Sequence, residues 1–132
     1  MDACAMIAIL ANEPGADIVD AVYDKAATGE AELSMNIVNL FEVYYDLVRS
    51  YGVERANEIY NEITSLPISI INEISNAVFK EAGRLKTTYK ISLADSIALA
   101  QALTTGSDLL TSDHHEFDKI KGLEPINFCW IR

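Results

Sequence analysis

The sequence predicts an α/β protein in which helices cover a short parallel sheet. Segments with apolar residues at helical spacing alternate along the chain with short apolar or β-branched segments, and this alternation is typical of parallel strands joined by helical crossovers. Half of the 132 residues are hydrophobic, which is enough to build a core without disulfides or metals. No repeat, linker or low-complexity segment divides the chain. We therefore expect one domain over residues 1–132.

The first half of the chain predicts helices that end at clear stop signals. Gly29, Gly52 and Pro67 each follow an apolar periodic segment, as residues that terminate helices do. Asn36 is a favourable N-cap for the longest of these helices. In order, we predict an apolar segment that ends near Asn12, a helix over 17–28, a strand over 32–35, a helix over 37–51, a helix over 53–64 and a strand over 69–71.

The helix over 37–51 is apolar around most of its circumference. Its polar residues fall three and four positions apart and form one narrow stripe, which comprises Asn39, Glu42, Asp46 and Arg49. Such a helix is predicted to be buried on most sides. Its polar stripe should then face a cleft or a partner.

The second half of the chain predicts two helices and two strands around a pair of aspartates. The elements are a helix from 72 or 73 to about 88, a helix over 93–103, a strand over 108–111 and a closing strand over 125–131. Ser92 caps the second helix, Gly106 ends it, and its almost wholly apolar sequence indicates burial on all sides. Asp95 lies in the first turn of that helix, and Asp113 follows the strand. Because ligands bind at the carboxyl edge of a parallel sheet, the two acids could meet at one site.

The net charge of −10 limits the ways in which this chain could bind nucleic acid. Bulk electrostatic attraction requires Lys and Arg against phosphates, so a nucleic-acid substrate would need a metal ion to offset the repulsion. Cys4 and Cys129 match no zinc or redox spacing and predict free thiols in a reducing compartment. The apolar start lacks a basic region and carries Asp2, which argues against export, and no apolar run is long enough for a membrane span. We expect a soluble cytoplasmic protein.

Four carboxylates occupy predicted element ends or the polar stripe, namely Asp2, Glu42, Asp95 and Asp113. Hard divalent cations such as Mg²⁺ take oxygen ligands from a few carboxylates and from water. Two such ions can activate a water and stabilise the leaving oxygen of a phosphodiester. The four acids come from separate strand and helix ends, which is the distribution that such a site requires.

Each of these acids also has a purely structural explanation. Asp95 could complete a capping box with Ser92, and Asp113 could start a short helical turn in the same way. Glu42 could pair with Arg49 or be solvated, and the acid near the N-terminus could belong to a disordered end.

The other polar residues near the last predicted acid have weaker functional support. His114 and His115 are neighbours, and because adjacent side chains point in different directions on most backbones, a shared metal site is not indicated. Thr111 and Ser112 are better placed to orient Asp113 or a bound water. No Walker A, GxGxxG or GxSxG pattern is present, so a nucleotide cradle and a serine hydrolase have no support. A small signalling domain with one phosphoacceptor aspartate is an alternative, although it leaves the glutamate of the long helix unexplained.

At these residues the chain resembles the PIN-domain family, and within it the VapC-type toxins of bacterial and archaeal toxin–antitoxin modules. The resemblance extends over essentially the whole chain. Four motifs carry it: DAC at the first acid, NIVNLFEVYY around Glu42, SLADSIALAQAL around Asp95 and LLTSDHHEF around Asp113. Asp118 could supplement the fourth acid.

The resemblance implies a three-layer α/β/α sandwich around a short, mainly parallel central sheet. It also implies Mg²⁺- or Mn²⁺-dependent hydrolysis of RNA, with Asp2, Glu42, Asp95 and Asp113 as metal ligands and catalytic residues. A cognate antitoxin that fills the groove and a homodimer are implied as partners. The basic residues that we expect near the RNA backbone are Arg49, Arg84, Lys86 and Lys90.

Two positions differ from the family pattern. Only Met1 precedes the first acid, where the family has a hydrophobic strand, and Asn36 stands where Ser or Thr is usual. The short start and the acidic charge motivate a second hypothesis, in which a catalytically silent PIN-like domain binds a partner through the same groove. The sequence leaves both hypotheses open.

Overall fold

The computed structural model describes residues 1–132 and contains seven helices and four short strands. The helices are α1 (Ala3–Leu10), α2 (Ala16–Ala27), α3 (Ile37–Tyr51), α4 (Val53–Ser65), α5 (Asn76–Tyr89), α6 (Leu93–Thr105) and α7 (His114–Phe117). The strands are β1 (Ser34–Asn36), β2 (Ser69–Ile71), β3 (Leu109–Thr111) and β4 (Phe128–Trp130). No helix combines the length and the apolarity that crossing a bilayer requires.

The strands form the middle of three layers, as the predicted α/β/α sandwich requires. Leu109 and Leu110 are successive residues of β3, so their side chains project from opposite faces of the sheet. Leu110 packs into a core formed with α1, α2, α3 and α4, whereas Leu109 packs into a second core formed with α5, α6 and α7. The sheet is therefore covered by helices on both sides, and the predicted fold class is confirmed.

The sheet is divided into two parallel pairs, which the sequence did not predict. β1 pairs with β2 and β3 pairs with β4, and both pairs are parallel as expected. Residues 1 and 2 lie between the pairs: the amino group of Met1 donates to Ser34 O at 2.9 Å, and Asp2 N donates to Leu110 O at 3.2 Å. Met1 forms one hydrogen bond to β1 and Asp2 forms one to β3, but neither residue belongs to a strand. The central sheet is therefore interrupted between its two pairs of strands.

Most predicted boundaries agree with the structure, and the start of α5 is the largest difference. The helix begins at Asn76 and not at 72 or 73, because the side chain of Ser75 caps it by accepting a hydrogen bond from Val78 N. The strand predicted over 32–35 lies at Ser34–Asn36, and the closing strand predicted over 125–131 is limited to Phe128–Trp130. The predicted caps Asn36 and Ser92 and the left-handed Gly106 are found as expected.

The prediction that α3 is buried on most sides is wrong. Leu40, Val43 and Leu47 face the core, but Phe41 and Tyr45 are exposed on the opposite side. These two aromatic residues therefore form an apolar outer surface. The sequence pattern shows which residues are apolar, but it does not show which of them face the core and which face outward. By contrast, the helix α6 is buried over most of its length, as predicted.

Candidate functional site

Asp2 is completely buried and anchors the N-terminus of α1. Its Oδ1 accepts a hydrogen bond from Ala5 N at 2.9 Å, and its Oδ2 accepts one from the hydroxyl of Thr111 at the end of β3. The backbone of Asp2 is also bonded to β3, through Leu110 O. The alternative that this acid belongs to a disordered terminus is therefore wrong.

Asp113 lies just beyond β3, at the carboxyl edge of the sheet. Asp113 N donates to Thr111 Oγ1 at 2.9 Å, so one threonine hydroxyl contacts two of the four predicted acids. Asp113 Oδ1 accepts from Glu116 N at 2.9 Å and thereby caps α7. The structural explanation for this acid is thus correct, and it leaves Oδ2 for another contact, which the thiol of Cys4 makes at 3.9 Å.

Asp95 is buried in the first turn of α6, where its contacts differ from a capping box. Asp95 N donates to Ser92 Oγ at 3.1 Å, as an N-cap requires, and the same hydroxyl donates to Asp95 Oδ2. In a capping box the carboxylate would instead accept from the backbone N–H of Ser92, and that bond is not formed. The carboxylate is therefore oriented by Ser92 and keeps its second oxygen without a protein donor.

Glu42 lies half-buried on α3 and forms no ion pair. Arg49, its predicted alternative partner, pairs instead with Asp46 on the protein surface. The polar stripe of α3 therefore divides into an inner part, which contains Asn39 and Glu42, and an outer part, which contains Asp46 and Arg49.

The electrostatic effects among the four acids show that they converge. Burial raises the pKa of Asp2 from 3.8 to about 6, although two hydrogen bonds oppose the rise, and the charge of Asp95 adds to it. Burial also raises the pKa of Glu42, with further contributions from Asp95 and Asp113. The pKa of Asp95 is raised by burial first and then by Asp113. Asp95 and Asp113 thus lie close enough to other acids of the set to disfavour their ionisation.

Three helix N-termini explain why the fold tolerates this concentration of charge. Asp2 caps α1, Asp95 lies in the first turn of α6, and Asp113 caps α7. The N-terminus of a helix carries a partial positive charge that stabilises a nearby carboxylate. No lysine or arginine forms an ion pair with any of the four acids, so none of their negative charge is neutralised by a direct partner.

The donor set is suitable for a hard divalent cation, although the side chains are not arranged around one. No three His, Cys, Asp or Glu side chains lie close enough together to hold a metal ion. Without a cation the carboxylates repel one another, and three of them bond to the termini of their own helices instead. Oxygen donors, burial and the absence of a neutralising residue are nevertheless the features that a Mg²⁺ or Mn²⁺ site requires.

Three further residues at this site were missed by sequence reasoning. Cys4 follows Asp2 by two residues, and burial and the surrounding acids raise the pKa of its thiol to about 12. Glu116 adds to the rise in the pKa of Asp95, whereas Lys119 opposes it and pairs with Glu116 at 3.2 Å. For Glu116 and Lys119 the available signal was their spacing from Asp113, by three and six residues in the same short segment.

The other predicted candidates lie outside the acid cluster. His114 stacks on Trp130 and contacts Asp118 and Arg132 O, and His115 is exposed. Of the basic residues, Arg84 is paired with two glutamates. Both cysteines are free, as predicted.

Comparison with known proteins places this geometry in context. The PIN domain family model matches residues 1–123. A toxin–antitoxin complex from Klebsiella pneumoniae contains a chain that is 22% identical to this one, with a TM-score of 0.61. The match covers 96% of this chain and 97% of that chain. The crystal structure of a DNA-bound VapBC from Salmonella typhimurium contains a chain that is 14% identical to this one, with a TM-score of 0.75. The match covers 99% of this chain and 96% of that chain. At these identities the two structures show the fold alone, and no curated protein matches the chain.

Proposed function

The chain belongs to the PIN domain family, and from that premise we propose that it is a Mg²⁺- or Mn²⁺-dependent endoribonuclease, the toxin of a toxin–antitoxin pair. One observation carries the proposal: four carboxylates from separate elements converge at the carboxyl edge of the sheet without a basic partner. Such a cluster is costly to the fold, because burial opposes the ionisation of three of its members. A cation that binds there would offset this cost.

The four acids would hold the cation directly or through water. When bound, the cation would lower the pKa of a water and stabilise charge on the phosphodiester oxygens. Thr111 fixes the carboxylate of Asp2 and the backbone of Asp113 relative to each other. Ser92 orients Asp95, whereas Glu42 forms no ion pair and has Tyr45 as its hydrogen-bonding neighbour. Lys119, beside Asp95, is the cation that could meet a substrate phosphate.

The proposed partner that inhibits the enzyme is a cognate antitoxin. Its support is the fold, which is shared with chains from two toxin–antitoxin complexes. The antitoxin would fill the groove around the acids and prevent RNA from reaching them. Both proteins would act in the cytoplasm, where RNA is present and the two free thiols stay reduced.

We further propose that the chain forms a homodimer through the apolar surface of α3, α5 and α6. Phe79 and Leu93 are 69% and 59% exposed on this surface. A groove between α5 and α6 is lined mainly by apolar residues and includes Val38 of α3. Exposed apolar residues that form a contiguous surface are typical of an interface.

A second candidate function is a catalytically silent domain that binds a partner through the same groove. It is favoured by the absence of any three side chains arranged to hold a metal ion. Under this proposal the acids would serve mainly as helix caps, and the groove would contact protein rather than RNA.

A cleavage assay on a mixed RNA pool tests both candidates. The wild type is compared with Asp95→Asn, with an EDTA control, and with Asp46→Asn as a matched control on the outer part of the stripe. Cleavage that needs Mg²⁺ or Mn²⁺ and Asp95, but not Asp46, would support the nuclease. Absence of cleavage by folded protein free of antitoxin would favour the silent domain.

A further inference from the structure

Asn39 is a completely buried residue of α3 with half of its amide group unpaired. Its Nδ2 donates to Ala94 O at 3.1 Å, but its Oδ1 accepts no hydrogen bond. No other buried side-chain nitrogen or oxygen in the protein lacks a partner. Because an unpaired buried acceptor costs free energy, this position requires a physical explanation.

The position of Asn39 relates it to two acids of the cluster. Glu42 follows it by three residues and therefore lies on the same face of α3. Ala94, which accepts its hydrogen bond, immediately precedes Asp95 in the first turn of α6. The amide group thus lies between the helical turns that carry Glu42 and Asp95.

The residues of the cluster cannot satisfy Asn39 Oδ1. Ionised carboxylates accept hydrogen bonds and do not donate them, and the Ser92 hydroxyl already donates to Asp95. A hydrated divalent cation does bring donors, because Mg²⁺ keeps several of its water molecules when carboxylates bind it. Asn39 is bonded to the residue before Asp95, so a water of this kind is the donor that its Oδ1 lacks.

We propose that Asn39 is a positioning residue of this centre, whose Oδ1 would accept a hydrogen bond from a water molecule of the bound cation. The inference rests on the proposed metal-dependent function. Asn39 is neutral and is not one of the four acids, and it would orient the water molecules bound to the cation. Residues in such outer positions change metal affinity about 10- to 100-fold when they are replaced.

The test is the affinity for Mn²⁺, measured by calorimetry on the wild type and on Asn39→Leu. Leucine has a similar shape but neither the acceptor nor the Nδ2 donor to Ala94 O, so we expect Mn²⁺ binding to weaken about tenfold. The melting temperature of the metal-free variant then reports the effect of the lost hydrogen bond on the fold separately from metal binding. Ser96→Ala is the matched control. Ser96 is also buried on α6, but its hydroxyl bonds to Leu93 O, so Mn²⁺ affinity should stay unchanged.

The possible outcomes separate this inference from the proposed function. Equal Mn²⁺ affinity in the wild type and Asn39→Leu would overturn the role of Asn39 and leave the nuclease proposal intact. A wild type that binds no Mn²⁺ would overturn both.

A second measurement on the wild type does not depend on how any variant folds. In a Mg²⁺ titration followed by NMR, the side-chain amide signals of Asn39 should shift, whereas those of Asn57, which is bonded to Tyr44 on the surface, should not. If the Asn39 signals stay in place while Mg²⁺ binds, the inference is wrong.

Discussion

The hydroxyl of Thr111 donates a hydrogen bond to the carboxylate of Asp2 across 109 positions of sequence. Both residues are completely buried, and the same hydroxyl accepts from the backbone of Asp113 at 2.9 Å. The first and last acids of the cluster are therefore held by one small side chain. The hydroxyl is a donor to Asp2 and an acceptor from Asp113, so removing it takes a hydrogen bond from each of these two acids.

Thr111→Val should destabilise the protein. Valine keeps the shape but leaves the buried Asp2 carboxylate without one of its donors, so we expect the free energy of unfolding to fall by about 1–3 kcal/mol at pH 7. Urea denaturation measures the change. Thr111→Ser restores the hydroxyl and should recover most of the loss. A loss in Thr111→Ser with none in Thr111→Val would show that packing of the methyl group, and not the hydrogen bond, is responsible.

The stability of the metal-free protein should depend on the ionisation of Asp2. Because its pKa is raised from 3.8 to about 6 in the folded state, the folded protein binds this proton more tightly than the unfolded chain. The resulting stabilisation is complete below pH 3.8 and is lost as the pH rises to about 6, and it amounts to on the order of 3 kcal/mol. Urea denaturation across this range, with Asp2→Asn as the reference, isolates the effect of Asp2 from that of other acids. A difference between the two proteins that does not change with pH would contradict this prediction.

Asp95→Asn should separate metal binding from helix capping. Burial raises the pKa of Asp95, so a neutral amide of the same shape should leave the metal-free melting temperature unchanged or higher. Saturating Mn²⁺ should raise the melting temperature of the wild type by roughly 5–10 °C and that of Asp95→Asn hardly at all. Differential scanning calorimetry measures both, with Asp46→Asn as the control. A variant that melts lower yet responds fully to Mn²⁺ would identify Asp95 as a capping residue only.

Lys119→Gln should weaken RNA binding through the loss of one phosphate contact. For a single-stranded RNA, the slope of log affinity against log salt concentration should become less steep by about 0.7. Fluorescence anisotropy at several salt concentrations, in the Asp95→Asn background to prevent cleavage, measures this slope. Lys121→Gln removes an exposed lysine from the same segment and should leave the slope unchanged. If both substitutions have the same effect, Lys119 acts only through net charge.

Phe79→Glu should convert a dimer into monomers. The charge would be buried against an apolar surface of the second copy, which is strongly unfavourable without a partner. Sedimentation velocity gives the oligomeric state directly. Leu123→Glu is the matched control, because Leu123 is 67% exposed in the α7–β4 connection and is not part of the apolar groove. A monomeric wild type, or a Phe79→Glu dimer, would show that this surface is not the interface.

Much of the local structure follows from residues that act on their immediate neighbours. Asn36 and Ser92 fix the starts of α3 and α6, and Gly106 ends the latter because it adopts a left-handed backbone without strain. The start of α5 was misplaced since two candidate residues preceded Ser75, which competes for the same role and forms the actual cap. Signals of this kind are short-ranged, so they can be recognised without the fold.

The sequence by itself determined the α/β class, the bounds of the longest helix, and the positions of three acids at element ends and of Glu42 on the polar stripe of α3. Hydrophobic period and capping chemistry are properties of consecutive residues, so they can be recognised without the fold. Only the tertiary structure decided that Met1 and Asp2 divide the sheet, that Phe41 faces outward, and that Cys4, Glu116 and Lys119 join the acids. The unpaired oxygen of Asn39 also depends on how α3 packs against α6. These features arise where elements distant in sequence meet, and which donor an acceptor finds there is set by packing and not by its neighbours in the chain.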